Sequence, residues 1–417
     1  VRLPTDIESL YIDFDAFFAN VEKQLEPGIR DVPVGVTALG SEYSALITCC
    51  YMAKRAGITR GMRVREARKA CPDIVIRVAR PDVYVDIHNR IVAEVDSHVP
   101  VRKVWSIDEV ECRLIGREQK SAQTLALNIR DGLLKNIGLY VTPSIGLAPN
   151  QFLAKVAAEM EKPSGFVTLR PEDLPGRIAH LKLTKLPGIS SNMEVRLNKA
   201  GITDIEGFWN ISAKHARAIW GSVEGERMWA QLRGYDLARP ETTKRMFGHS
   251  RVLSGDFKDT RRAVDCLHLL TVKAAYRLRR AGYLAGALSV SFKTTEDKRW
   301  SGERRFSHCR DDLTFIRHMK SLYEQGLHEL GHPAKLKSVY VLLHAIARKN
   351  EVSEDLFNTN RVNPDDKTWD SLMTVMDDLN AKHGKAVLHV GARAKLPGGF
   401  AGGKIAFGRV PDKEDFY

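Results

Sequence analysis

Trp105-Ser106-Ile107-Asp108-Glu109-Val110 places two adjacent carboxylates in a β-forming stretch. A second acidic stretch, Tyr11-Ile12-Asp13-Phe14-Asp15-Ala16-Phe17-Phe18, stands upstream, with Asp13 lying 95 residues before Asp108. Hard divalent cations such as Mg2+ take oxygen ligands, and one or two carboxylates commonly hold them together with substrate phosphates. A pair of such ions can clamp both the attacking and the leaving oxygen of an in-line phosphoryl displacement. Two neighbouring carboxylates, plus a third at the end of an apolar run, supply that donor set. Read singly, each stretch fits equally well a plain strand edge, with Asp13 as a helix N-cap. Neighbours on a regular strand point to opposite faces. If Asp108 and Glu109 both reach a metal, the strand must therefore bend or end between them.

A chain of 417 residues exceeds the roughly 250–300 residues at which single cores stop growing, so more than one domain is expected. The net charge of +13 suggests a polyanionic partner. The excess is localised. Residues 241–350 hold 22 Lys and Arg against 11 Asp and Glu, a net of +11, whereas residues 351–417 carry a net of −2. The six cysteines show no Cys-x-x-Cys spacing, which argues against a zinc site or a disulfide framework. No stretch reads as a signal peptide or is apolar enough to span a membrane, so a cytoplasmic protein without a membrane partner is expected.

The chain alternates strand and helix signals at first. Leu10-Tyr11-Ile12, 34–37, 45–48 and 141–145 read as strands; 17–25, a helix starting at 52–56, and 121–136 read as helices, and 104–114 as a strand pair around the acidic dipeptide. This pattern favours a mixed α/β layer. Residues 166–235 turn helical, and within them Leu186-Pro187-Gly188-Ile189-Ser190 forms a turn before a helix that ends at Ala200-Gly201. Residues 239–245 read as a polar linker. Beyond it the order is strand (246–253), helix (259–281, capped by Asp259), two strands (287–293, 304–309), helix (311–330) and strand (338–345), a βαββαβ succession. A last helix, 367–382, is expected to gather Trp369, Leu372, Met373, Met376 and Leu379 on one face, as docking surface or core rather than a cofactor site.

Four stretches together resemble the Y-family, or translesion, DNA polymerases, which include bacterial DNA polymerase IV and the catalytic subunit of polymerase V. They are Asp13-Phe14-Asp15-Ala16-Phe17-Phe18, Tyr51-Met52-Ala53-Lys54-Arg55-Ala56-Gly57-Ile58, Ser106-Ile107-Asp108-Glu109, and Gly146 through Met160-Glu161-Lys162-Pro163-Ser164-Gly165. The resemblance runs clearly over about residues 8–235 and more weakly to about 347. It implies an α+β multidomain, right-handed polymerase. Palm and fingers would occupy 1–165, with the fingers at about 30–80; a helical thumb would occupy 166–238, a βαββαβ little finger 246–350, and a C-terminal extension 351–417. The implied reaction is DNA-templated addition of deoxynucleotides to a primer 3′ end, with low fidelity, no proofreading, and bypass of damaged template bases.

The same resemblance implies roles for particular residues. Asp13, Asp108 and Glu109 would be the catalytic carboxylates that hold two Mg2+ ions (Mn2+ substituting), with the Phe14 carbonyl as a further ligand. Asp15, two residues after Asp13, is either a further acid of the site or only a cap for the next helix. Phe17 and Phe18 would lie at the nucleotide, Phe18 as the steric gate against ribonucleotides and Phe17 as core beside it. Tyr51, Lys54 and Lys162 match the family's phosphate-binding Tyr, Arg and Lys. Lys54 stands where an arginine is usual and cannot make its fork-shaped contact, so nucleotide affinity or phosphate alignment is expected to differ from relatives unless the adjacent Arg55 substitutes. Cys50, beside that pocket, reads as simply buried. Gly188 and Ser190 would offer a helix-hairpin-helix-like turn to a DNA phosphate. Lys293, Arg299, Arg304, Arg305 and Lys337 would bring a β-face against the primer–template, although Ser338 and Leu342 stand where relatives often carry arginines. Leu356 and Phe357, in Ser353-Glu354-Asp355-Leu356-Phe357, fall where bacterial relatives carry a sliding-clamp peptide, here without its leading Gln. A monomer acting on primer–template DNA and an incoming dNTP is expected. A catalytically dead recruiter would lack the acidic triad, and a two-metal nuclease would need neither Phe18 nor the phosphate set.

Overall fold

The computed structural model describes residues 2–238, 243–352, 364–383, 387–391 and 410. The chain divides into two compact units, with Val1–Pro240 making up the bulk of the first and Glu241–Lys404 the bulk of the second. In chain order the first unit begins β1 (Ser9–Phe14), α1 (Phe17–Leu25), β2 (Val34–Thr37), β3 (Leu46–Cys49), α2 (Tyr51–Arg55), α3 (Val64–Ala70), β4 (Val75–Val78) and α4 (Pro81–His98). It continues with β5 (Val101–Ser106), β6 (Glu109–Arg113), α5 (Arg117–Lys120), α6 (Ala122–Asn136), β7 (Pro143–Ala148), α7 (Gln151–Met160) and β8 (Phe166–Thr168). Four shorter helices close it: α8 (Ser191–Lys199), α9 (Ile205–Asn210), α10 (Ala213–Trp220) and α11 (Glu224–Leu232).

Five strands form one sheet in the order β5-β6-β1-β7-β8, and a separate small sheet has the order β3-β2-β4. The middle strand, β1, pairs antiparallel with both β6 and β7, and all six of its residues are buried. That double burial is why its sequence is a continuous apolar run rather than an alternation. Helix α7 is opened by Asn150, whose side chain accepts the Leu153 N–H at 2.8 Å. It lies directly on β7 because Gly146 has no side chain there. A Cβ at Gly146 would overlap the Ala154 carbonyl and sit 2.5 Å from the Ala158 nitrogen. The sequence reading does not predict α4 or α7. The polar residues Asp82, Asp86, His88, Asn89 and Arg90 interrupt the apolar pattern of α4, and α7 is a short helix of ten residues.

The second unit holds β9 (Phe247–Val252), α12 (Thr260–Arg280), β10 (Tyr283–Thr294), β11 (Arg299–Cys309), α13 (Asp312–Glu329), β12 (Leu336–Arg348) and α14 (Pro364–Lys382). The βαββαβ order expected from the sequence is the order found. Asp259 caps α12 by accepting the Arg261 N–H at 2.9 Å. The sheet order is β11-β10-β12-β9, all antiparallel. Leu288, Val290, Phe292, Trp300, Val339 and Leu343 share a core with residues of α12 and α13, so those helices cover one sheet face. Residues of opposite parity on the strands turn to the other face.

Helix α14 packs only part of its apolar stripe. Met373 is buried, and Trp369 and Met376 are half-buried, but Leu372 and Leu379 are exposed. The inner face is set by Arg279 of α12. This guanidinium donates to Asp377 at 2.6 and 3.0 Å and to Asp312 at 2.6 Å. A buried cation needs such partners, and the pairing fixes the rotation of the helix. Among the described residues, no helix is long and apolar enough to cross a membrane.

Candidate active site

Asp13 and Glu109 face each other across the antiparallel β1–β6 ladder. Strand β5 ends at Ser106 and β6 begins at Glu109, so Ile107 and Asp108 form the turn between them. The chain does end its strand inside the acidic motif. Two bonds pin that turn: the Phe14 N–H donates to the Asp108 carbonyl at 2.9 Å, and His88 Nδ1 of α4 donates to the Ile107 carbonyl at 2.8 Å. Ser106 Oγ lies 2.6 Å from Asp108 Oδ1 and 3.3 Å from Glu109 Oε2. One hydroxyl thus touches both neighbouring carboxylates. Phe14, the last residue of β1, is buried beside them.

Lysines meet the acids. Lys162 pairs with Asp13 and with Glu159, and Lys155 pairs with Glu109. Lys155 Nζ also lies 3.5 Å from the Tyr11 hydroxyl. Burial pushes the Asp13 carboxyl up, and the Lys162 ammonium opposes it. Burial likewise raises Asp108. Burial by itself would lower Lys162, but Asp13 and Glu159 outweigh it and hold the ammonium above its ordinary range. Among the described residues, no three His, Cys, Asp or Glu side chains converge tightly enough to hold a metal as they stand. Asp13 and Glu109 are each turned to an ammonium instead. The donor set still fits a hard divalent cation: it is all oxygen, largely buried, and four carboxylates outnumber two lysines whose charges already stand in for cations. Lys155 and Glu159 escaped sequence reading because their spacing carries meaning only once α7 is known to be a helix.

Asp15 does not cap the following helix. Ala16, in the left-handed region at φ 44°, occupies that position with no side-chain bond, and the Asp15 carboxylate turns inward. Phe17 and Phe18 are both nearly fully buried, so burial alone does not separate gate from core. Both meet Tyr84 of α4, but in different geometry: Phe18 stacks on it with centroids 4.6 Å apart, while Phe17 meets it edge-on at 6.5 Å and Phe14 edge-on at 6.2 Å. The Tyr84 hydroxyl donates to Glu22 at 2.7 Å, and Arg80 holds the same carboxylate at 2.5 and 3.1 Å. Sequence reading missed Tyr84 together with its helix.

Tyr51, Lys54 and Arg55 lie on α2, with Lys54 Nζ 3.9 Å from the Tyr51 ring centroid. Lys54 and Arg55 are exposed. Burial, followed by the charge of Asp15, pushes the Tyr51 phenol up to about 12. Cys50 is buried and its sulfur accepts the Val34 N–H at 3.2 Å. Gly188, at φ +94°, turns the chain into α8, and Ser190 stands exposed at the N-cap of that helix.

In the second unit, cross-strand register sorts the five candidate cations. Lys293 pairs in register with both Arg299 and Ser338, and Arg305 pairs with Ala287, all on the sheet face away from the helices. Leu342 lies on that face too, opposite Ser289. Arg304 sits in register with buried Leu288 and reaches Ser321 of α13 at 3.4 Å, so it belongs to the helical side. Lys293 and Lys337 both reach Asp297, at 2.6 and 3.1 Å, and Arg305 reaches Glu303 at 3.0 Å. Leu356 and Phe357 lie outside the described residues.

The profile of the impB/mucB/samB family matches residues 12–159, and that of the same family's C-terminal domain matches residues 244–356. DNA polymerase IV of Moorella thermoacetica is 30% identical over 397 residues, covering 92% of this chain and 96% of its own. DNA polymerase IV of Legionella pneumophila is 27% identical over 340 residues, covering 80% and 94%. Among solved structures, a Y-family DNA polymerase chimera of Dbh and Dpo4 superimposes with a TM-score of 0.71 at 22% identity, over 82% of this chain and 99% of that one. An insertion ternary complex of Dbh DNA polymerase gives a TM-score of 0.54 at 22% identity over the same shares. These structural likenesses establish a shared fold.

Proposed function

The chain belongs to the Y-family of DNA-directed DNA polymerases, and from that premise we propose that it extends a primer 3′ end by two-metal phosphoryl transfer, with low fidelity and tolerance of damaged template bases. The observation that supports the chemistry is the adjacency of the Asp13, Asp108 and Glu109 backbone positions where β1 ends and β6 begins. Two Mg2+ ions held by these side chains and the Phe14 carbonyl supply, when bound, the charge that activates the primer hydroxyl and steadies the leaving pyrophosphate.

The chain's own residues do the rest. Lys162 is held fully charged and exchanges its carboxylates for phosphate oxygens of an incoming dNTP. Tyr51, with its phenol pushed up to about 12, keeps its proton and donates a hydrogen bond to the same triphosphate. Lys54 adds a point charge and Arg55 a fork. Phe18 lies under C2′ of the sugar and leaves no room for a 2′-hydroxyl, so ribonucleotides are refused by clash. A gate of this kind works only if it cannot retreat, and the stacked, hydrogen-bonded Tyr84 prevents that.

The five-stranded sheet serves as palm, the small sheet as fingers, α8–α11 as thumb, and the second unit as little finger. Lys293, Arg299, Arg305 and Lys337 of that unit, and the Gly188–Ser190 turn, meet DNA phosphates; Leu356 and Phe357 form a weak clamp peptide. Primer extension on undamaged and damaged templates tests this reading. Failure to add any nucleotide with Mg2+ or Mn2+ present would overturn it.

A further inference from the structure

Asp15 is the one acid of the first motif that the chemistry above leaves without a task, yet it is only 1% exposed. Its carboxylate accepts from three donors: the Ser164 N–H at 2.7 Å, the Ser144 hydroxyl, which lies 2.9 and 3.1 Å from its two oxygens, and Thr142 Oγ1 at 3.3 Å. Ser144 Oγ in turn accepts the Gly165 N–H at 3.3 Å. Asp15 and Ser144 therefore hold two successive backbone amides of the turn that follows Lys162. Ser164 adopts a left-handed φ of 59°, a conformation a non-glycine residue keeps only when its surroundings hold it there. The main chain of Asp15 is tied as well, its N–H donating to the Thr142 carbonyl at 3.0 Å. Its charge is also the largest among those that raise the Tyr51 phenol. The carboxylate thus interacts by charge with two of the residues assigned to the triphosphate, Lys162 and Tyr51.

We propose that Asp15 is the positioning residue of the triphosphate site: it fixes the 162–165 turn so that the Lys162 ammonium is presented toward Asp13 and the incoming phosphates. The proposal rests on the reading of Lys162 as a triphosphate ligand. A buried carboxylate that accepts this many donors ties strand β7 and the turn to the end of β1 more firmly than a neutral amide could. It acts on nucleotide affinity through Lys162, and not on the chemical step.

Single-nucleotide insertion by the full chain, with dNTP varied, tests this on Asp15→Asn, Ser144→Ala, Lys162→Ala and the Asp15→Asn/Lys162→Ala double variant. Asp15→Asn should raise KM for dNTP about tenfold with a much smaller change in kcat, the loss expected for one charge-assisted anchor. Ser144→Ala should shift KM the same way. The double variant should be no worse than Lys162→Ala alone, because there is no ammonium left to position. An unchanged KM in Asp15→Asn, or effects that multiply in the double variant, would overturn the proposal while Lys162→Ala still raises KM. An unchanged KM in Lys162→Ala itself would overturn the underlying reading. Should Asp15→Asn fail to fold, Ser144→Ala carries the same test, and an unchanged KM there overturns the proposal.

Discussion

Asp13 of β1 stands directly opposite Glu109 of β6, and two lysines seven residues apart, Lys162 and Lys155, meet these two carboxylates. Lys155 lies on α7 itself, and Lys162 lies in the turn just after the helix ends at Met160, so the helix and its exit turn each serve one acid. The electrostatics of the site therefore depend on how α7 packs. That packing depends on a single missing side chain, at Gly146.

Asp108→Ala or Glu109→Ala should lower nucleotide addition by at least about a hundredfold, the usual cost of removing one preorganised charge-stabilising group. Affinity for primer–template should stay within about threefold, because it comes mainly from phosphate contacts made elsewhere. Single-turnover insertion and a fluorescence-anisotropy titration read the two quantities. Near-normal extension by both variants would remove these residues from the chemistry.

Phe18→Ala should admit ribonucleotides while deoxynucleotide insertion persists, since it removes a clash. Tyr84→Leu should weaken the same discrimination by a smaller factor, because the gate loses its backing but keeps its ring. The ratio of kcat/KM for dNTP to that for rNTP is the measurement. An unchanged ratio in Phe18→Ala would shift the gate to Phe17.

Gly146→Ala should destabilise the first unit by about 3 kcal/mol, the upper end for overpacking a tight core, since the new Cβ meets backbone rather than a movable side chain. Denaturant melts would show it. A midpoint matching the wild type would mean that α7 can lift from β7 without cost.

Acid should destabilise the fold ahead of general carboxylate protonation. Burial lowers the pKa of His88, His268 and His318 from the ordinary 6.5. The sign follows from proton uptake: below about pH 6.5 the unfolded chain binds protons that these buried rings refuse. Unfolding free energy should therefore fall as pH drops through 6.5 toward the folded pKa values, and be unaffected by them above 6.5. His268 of α12 has Lys320, Asp265 and His389 around it and bonds the Val390 backbone. His268→Asn should flatten part of the drop between pH 7.5 and 5.5 in urea melts. An equal slope in both proteins would show that His268 titrates freely.

Much of the second unit was legible because its amphipathic pattern is strong and local: Asp259 caps α12, and the six-element order follows from alternating periods. Arg304 and Arg305 were not separable in the same way. They are neighbours on one strand, and only the register with Leu288 and Ala287 shows which faces the helices. Which part of the α14 stripe packs was not legible for a related reason: the Arg279–Asp377 pair selects it.

The sequence by itself determined which residue types were available: a buried strand ending in Asp13, a strand break at Asp108-Glu109, adjacent aromatics at 17 and 18, and a basic segment after 240. These follow from local period, burial preference and charge, all of which are written within a few residues. Only the tertiary structure decided that Lys155 and Lys162 meet Glu109 and Asp13, that Tyr84 backs Phe18, and that Asp15 holds the 162–165 turn. Those partners lie 46 to 149 residues apart in the chain. Strand register and the close seat of α7 on Gly146 bring them together, and neither leaves a periodic signal in the sequence.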